Sequence, residues 1–156
     1  FFLHMNSFKL YIDTLLKLCN QAIKRNEVPV SAIIVDPKSK KIIARSHNLS
    51  IRNKDPLAHA EILVIRKALK SLNKKRLDGM DIYCSLEPCP MCTAAIALSQ
   101  LRNIYFCAED KAGGGLINGP KLGLSKYLKY KFSFYYGFEE NKFSKILVDF
   151  FKQKRK

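Results

Sequence analysis

His59-Ala60-Glu61 and, thirty residues on, Pro88-Cys89-Pro90-Met91-Cys92 supply one imidazole, two thiols and one carboxylate from two short motifs. One imidazole and two thiolates hold a zinc ion with a fourth position open to water. Zinc lowers the pKa of such a water from roughly 15.7 to about 7, which makes hydroxide available near neutrality. Glu61 is then the group that moves protons between that water and a leaving group. A purely structural zinc site normally takes four protein ligands. The remaining histidines, His4 and His47, do not have metal-ligand spacing. His59, Cys89 and Cys92 are therefore read as ligands of one catalytic zinc per subunit, with Glu61 as the catalytic residue.

Five cysteines make an odd count, and two of them are the C-x-x-C pair. Taken alone, that pair also suits a redox couple. With no export signal legible, metal binding is favoured over a disulfide framework. Cys19, Cys84 and Cys107 lie in apolar stretches and read as small buried hydrophobes. Ser31, Ser46 and Ser85 sit in no G-x-S-x-G elbow, which excludes that serine-hydrolase arrangement. Gly113-Gly114-Gly115 is not followed by Lys-Ser/Thr, so it is no P-loop.

The elements that must position these groups follow from periodicity. Apolar residues from Phe8 to Ile23 recur at helical spacing, giving a helix over residues 8–25. Residues 30–35 form a nearly continuous apolar run, expected as a buried strand. Asp36-Pro37-Lys38-Ser39 is a turn into a second strand over residues 41–46, making a hairpin. Asp55-Pro56 opens a helix over residues 57–72. A strand over 80–86 is followed by a helix from Pro90 to Leu101, because proline suits a first helical turn. A strand over 103–108 leads to the triple glycine, expected as a flexible or positive-φ loop. A strand over 131–136 and a helix over 139–153 complete the chain. The order αββαβαβ(α)βα implies one three-layer α/β domain spanning residues 1–156, with residues 1–7 expected as a poorly ordered extension and Met5 a candidate start.

This layout places His59 and the cysteine pair at the starts of two helices, where backbone N–H groups and the helix dipole favour negative charge and thiolates form more easily. A separation of two residues turns a side chain by roughly 200° around a helix. Regular helical geometry therefore does not bring Glu61 beside a metal on His59; the turn has to be distorted or just beginning, or the pocket has to curl toward Glu61.

The chain has 156 residues, 47% of them hydrophobic, enough to fold around a core. No apolar run approaches the roughly 20 residues that span a bilayer, and Phe1-Phe2-Leu3 is too short for a signal-peptide core. The expected location is cytoplasmic, with no membrane partner. The net charge is +15. Positive side chains gather at residues 38–41, 70–76, 121–131 and 152–156, with aromatic residues interleaved in or beside the last two. A polyanion is the natural partner for such a surface, although lysine-rich usage throughout a genome gives the same surface without one.

Beyond the metal motifs, residues 26–35 (NEVPVSAIIV), Asn48, residues 55–62 (DPLAHAEI), residues 85–92 (SLEPCPMC), Asp110, residues 113–119 (GGGLING) and Asp149-Phe150-Phe151-Lys152 occur in an order that resembles the bacterial tRNA-specific adenosine deaminases, within the cytidine deaminase-like zinc deaminases. The likeness runs from about Phe8 to Arg155. The zinc motif alone specifies only the wider superfamily. The resemblance implies a three-layer α/β/α cytidine deaminase-like fold with a central mixed five-stranded sheet. It also implies hydrolysis of adenosine to inosine at the wobble position (34) of tRNA anticodons, with zinc-bound hydroxide attacking C6 of the flipped base and Glu61 shuttling protons. By the same resemblance Asn48 reads the base, Val30 walls its pocket, Asp110 lies near the neighbouring ribose and backbone, and Phe150, Phe151 and the basic tail belong to a helix beside the RNA. The partners implied are a tRNA anticodon stem-loop and a second copy of the chain in a homodimer.

Three positions depart from the family pattern. Ser31 stands where glycine is usual, and Glu109 stands where a basic residue is common. Pro90 in P-C-P-M-C is shared with guanine deaminases, so deamination of guanine or another free base or nucleotide stays open as an alternative. A non-catalytic zinc-dependent RNA-binding subunit is a second alternative.

Overall fold

The computed structural model describes residues 2–156, with side chains from Met5 onward. Four helices and five strands alternate as α1 (Phe2–Lys24), β1 (Ser31–Asp36), β2 (Lys41–His47), α2 (Ala60–Leu72), β3 (Asp81–Leu86), α3 (Pro90–Leu98), β4 (Asn103–Ala108), β5 (Ser133–Tyr136) and α4 (Glu140–Lys154). The strands form one sheet in the order β2-β1-β3-β4-β5. β1 is antiparallel to both neighbours, and β3, β4 and β5 are mutually parallel. The sheet is therefore mixed and five-stranded, as the resemblance implied.

Alternation along the strands divides the core in two. Ala32, Ile34, Ile82, Cys84, Ile104 and Phe106 point to one face, where Ala60, Val64 and Ala68 of α2 and Ile96 of α3 cover them. Ile33, Val35, Tyr83 and Cys107 point to the other, under Tyr11, Leu15 and Cys19 of α1 and Phe143 of α4. Strands apolar on both faces need helices on both faces, and the three layers follow.

The boundaries differ from the periodicity in instructive ways. α1 starts at Phe2, because no glycine or proline interrupts residues 2–7, and so it enters the stretch read as an extension; Phe1 lies outside the described residues. α3 stops at Leu98, short of Leu101, where Gln100 takes a left-handed φ of 59°. β5 begins at Ser133 rather than at Lys131. Between β4 and β5 only a 3-10 turn at Leu122–Leu124 forms. None of the three consecutive glycines has a positive φ. The expectation of a positive-φ loop is corrected: a Cβ on Gly114 would meet the Glu87 carboxylate, and one on Gly115 would meet the backbone of Pro90. Glycine is needed there for close approach, not for φ.

Ser31 is fully buried, and its hydroxyl donates to the Leu15 carbonyl of α1 at 2.9 Å. A helix carbonyl thus satisfies the extra polar group that a glycine would have lacked.

Candidate active site

β3 delivers the chain to Glu87 and then into Cys89, the N-cap of α3 in extended conformation. Pro90 occupies the first turn, and Cys92 follows inside it. His59 arrives separately as the N-cap of α2, at φ −71° and ψ 152°. This resolves the spacing problem. His59 stands outside the helix, Glu61 is its second residue, and the extended backbone between them replaces a regular helical rotation.

His59 Nδ1 lies 3.6 Å from the sulfurs of both Cys89 and Cys92. The three ligand atoms all fall within 4.8 Å of one another. Zinc–sulfur bonds of about 2.3 Å and zinc–nitrogen bonds of about 2.0–2.1 Å at a tetrahedral angle put N and S roughly 3.6 Å apart. The donor set and its spacing fit that ion. Two sulfurs sharing one hydrogen bond also split in acidity. Cys89 is drawn down to about 4, first by the hydrogen bond from Cys92 and then by His59, against its burial. Cys92 moves up, because it is the partner in that bond and because it is buried. The His59 imidazole is raised by its hydrogen bond to Cys89. A bound divalent cation overrides this internal pairing, since coordinating thiols lose their protons outright.

Glu61 is 3% exposed, and its Oε2 is buried with no hydrogen-bond partner. Burial pushes the carboxyl up to about 7, against its own backbone N–H and the His59 imidazole. An orphaned carboxylate oxygen is costly, and it is the expected arrangement for a group waiting to engage a substrate proton.

These groups open onto a cavity of about 690 Å3, within the usual range for small-molecule sites. His59, Glu61 and Cys89 line it together with Val30, Asn48 and Asp110. Glu87, Glu109 and Asp110 follow the carboxyl ends of β3 and β4, where α/β sheets characteristically bind ligands. Asp110 Oδ1 also accepts hydrogen bonds from the backbone of Ala112 and Gly113 at 3.1 and 2.8 Å, folding the glycine loop. α4 contributes Ser144, Leu147, Val148 and Phe151 to the wall. Phe151 is 45% exposed and borders the cavity, whereas Phe150 is 7% exposed and turns inward, stacking edge-on against Phe151. Successive helical residues point about 100° apart, so only one of the pair can face the cavity. The structure thus gathers every predicted site residue except Phe150 and Cys92 onto the cavity wall, and Cys92 is buried with its sulfur 3.6 Å from Nδ1 of the wall residue His59.

Two buried carboxylates escaped the sequence reading. Glu27 accepts hydrogen bonds from the backbone of Ile51 and Arg52 and from Asn48 Nδ2. Glu87 accepts from the backbone of Asp110, Leu116, Ile117 and Asn118, and from Asn118 Nδ2. Each holds one of the two loops that shape the cavity. The available clue was an acid next to a valine or leucine and a proline, in Glu27-Val28-Pro29 and Leu86-Glu87-Pro88.

Against known proteins, residues 5–108 match the cytidine and deoxycytidylate deaminase zinc-binding region. A tRNA-specific adenosine deaminase of Agrobacterium fabrum is 37% identical over 93% of this chain and 94% of its own length. A solved structure from work on A-to-I editing by tRNA:A34 deaminases at the wobble position of transfer RNA superposes with a TM-score of 0.85, at 36% identity, covering 89% of this chain and 99% of that one. The guanine deaminase of Nitrosomonas europaea shares the fold, with a TM-score of 0.76 at 20% identity, over 90% of this chain and 82% of its own. The zinc-compatible donor set, the buried acid beside it and near full-length likeness agree, and the chain belongs to the tRNA-specific adenosine deaminases, zinc-binding hydrolases of the cytidine and deoxycytidylate deaminase family.

Proposed function

We propose that this protein converts adenosine to inosine at the wobble position of a tRNA anticodon. The observation that carries the reading is the pairing of the buried Glu61 carboxylate, whose Oε2 has no hydrogen-bond partner, with the His59–Cys89–Cys92 cluster at one cavity.

His59, Cys89 and Cys92 would hold the zinc ion, which when bound would supply an activated water near neutral pH. Glu61 takes one proton from the attacking water and passes it to N1 of the base, then takes the second from the hydroxyl now on C6 and passes it to the departing amine. Oxygen replaces the C6 amine, and ammonia leaves. Asn48 orients the base. Its amide nitrogen donates to Glu27 and to Ser50 Oγ, which leaves the carbonyl end to face a ligand. Val30 packs against the base, Asp110 borders the adjoining ribose, and Phe151 flanks the entering strand. Phe150 supports Phe151 from within. Extruding the base costs a few kcal/mol in a duplex and less in an anticodon loop, which favours the anticodon stem-loop as the element bound. The net charge of +15 suits a phosphate backbone. No helix among the described residues is long and apolar enough to cross a membrane, in keeping with action on cytoplasmic tRNA. The working unit is a homodimer by analogy with the family.

Incubation with total tRNA followed by sequencing for A-to-inosine changes tests the reading. Conversion confined to position 34 is the expected result. Ammonia released from guanine, cytosine or cytidine, with tRNA untouched, would replace it with a free-base deaminase. Binding of tRNA without any conversion would replace it with an RNA-binding subunit, in which the intact Glu61 has no task.

A further inference from the structure

The chain that leaves the candidate site carries no acidic residue between Asp110 and Glu139, and its lysines and tyrosines cluster at residues 126–131. This segment is a tied loop. Lys131 Nζ donates to the Ser125 carbonyl at 2.8 Å, and the Tyr127 N–H donates to Ser125 Oγ at 3.1 Å. Lys126 Nζ sits 5.6 Å above the Tyr127 ring, and Lys129 Nζ sits 5.4 Å above the Tyr130 ring. Tyr127 is nonetheless 85% exposed. An aromatic ring carried on a tied backbone, open to water and beside an ammonium group, matches what a single-stranded nucleic-acid surface needs, which joins base stacking to phosphate neutralisation. None of these side chains lines the cavity, and none is used by the chemistry above.

The loop is also mechanically continuous with the site. Gly115 donates to the Pro88 carbonyl at 2.9 Å. Leu122 and Gly123 donate back to Gly115 and Leu116 at 2.7 and 3.0 Å. The strand of chain that packs on the cysteine turn therefore continues directly into the lysine–tyrosine loop.

We propose that Lys126, Tyr127, Lys129 and Tyr130 form a second RNA-contacting surface, which grips unpaired or backbone portions of the tRNA outside the nucleotide in the cavity. The proposal rests on the tRNA reading above. An acidic protein would satisfy the lysines but leaves the exposed ring without a role; RNA satisfies both.

The test compares the full-length wild type with Lys126→Ala/Tyr127→Ala/Lys129→Ala, measuring tRNA binding by fluorescence anisotropy over a salt series and editing kinetics on the same tRNA. The proposal expects binding weakened by about tenfold or more, since stacking and phosphate contacts each contribute on that scale. The salt slope should flatten by about two, from the two lysines lost. The editing loss should sit in KM. Lys126→Arg/Lys129→Arg and Tyr127→Trp should each keep near wild-type affinity, which a loss of folding would not predict, and zinc content and thermal melting of all variants should match the wild type. Equal affinity and equal salt slope for wild type and triple variant overturn the proposal. So does a changed oligomeric state with unchanged tRNA binding, which would make the loop a protein contact. If the wild type binds tRNA but edits none, the function reading fails while the binding comparison still decides this one.

Discussion

Glu27 Oε2 accepts a hydrogen bond from Asn48 Nδ2 at 3.3 Å, and both side chains are buried. Twenty-one residues separate them in the chain. The same carboxylate takes the backbone N–H groups of Ile51 and Arg52, so three donors converge on one acid with no cation in the set. This arrangement holds the Asn48 amide in one orientation at the cavity wall. Replacing Glu27 with Gln puts an amide donor where acceptors are required. Leaving buried donors unpaired costs about 1–3 kcal/mol each. The Glu27→Gln protein should melt at lower temperature, and its kcat/KM should fall by about tenfold or more beyond what destabilisation explains, read on tRNA at a temperature where it is fully folded. Unchanged kinetics would show that Asn48 needs no such support.

Glu61→Ala should retain zinc and lose turnover by a factor of about 10² to 10⁴ or more, the range set by positioned proton transfer. Metal analysis alongside single-turnover kinetics reads both. Because Oε2 has no internal partner, removing the carboxyl breaks no hydrogen bond to that oxygen, and thermal stability should hold or rise slightly. Near wild-type turnover would remove Glu61 from the chemistry.

Chelation should abolish activity and lower the melting temperature, and zinc should restore both. Coordination needs deprotonated thiols and a neutral imidazole, so zinc affinity should weaken as pH falls from about 8 to about 6. Cys92→Ala should lose the metal at any pH in that range. Equilibrium dialysis against buffered zinc makes the measurement.

Gly115→Ala should be far more damaging than its single methyl suggests. The added Cβ meets the Pro90 backbone at the cysteine turn, which cannot yield as a flexible side chain would. Overpacking of this kind costs typically about 1–3 kcal/mol, and the displacement should also weaken zinc binding. Gly79→Ala is the contrast: nothing lies within 4 Å of its Cβ, but φ is +80°. Its cost should be confined to backbone strain, about 1–2 kcal/mol, with zinc affinity unchanged. Paired thermal melts and zinc titrations separate the two.

The sequence by itself determined the candidate ligand set and the layers around it. His59-x-Glu61 and Cys89-x-x-Cys92 are local motifs, each short enough for neighbouring residues to fix which groups lie together. Nearly continuous apolar runs such as residues 30–35 required cover on both faces, and helical periods on either side supplied it. The tertiary structure alone decided what local pattern cannot encode. It showed that His59 lies just outside α2, so that Glu61 reaches the same site. It turned Phe151 toward the cavity and Phe150 into the core. It revealed that the triple glycine serves contact with Glu87 and Pro90 rather than a left-handed turn. It also disclosed Glu27 and Glu87 as the acids that hold the two cavity loops. Their partners are backbone N–H groups 23 to 31 residues away and the two asparagine amides. A backbone amide carries no residue identity, so a hydrogen bond to it leaves no mark in the sequence until the fold brings the loop to the acid.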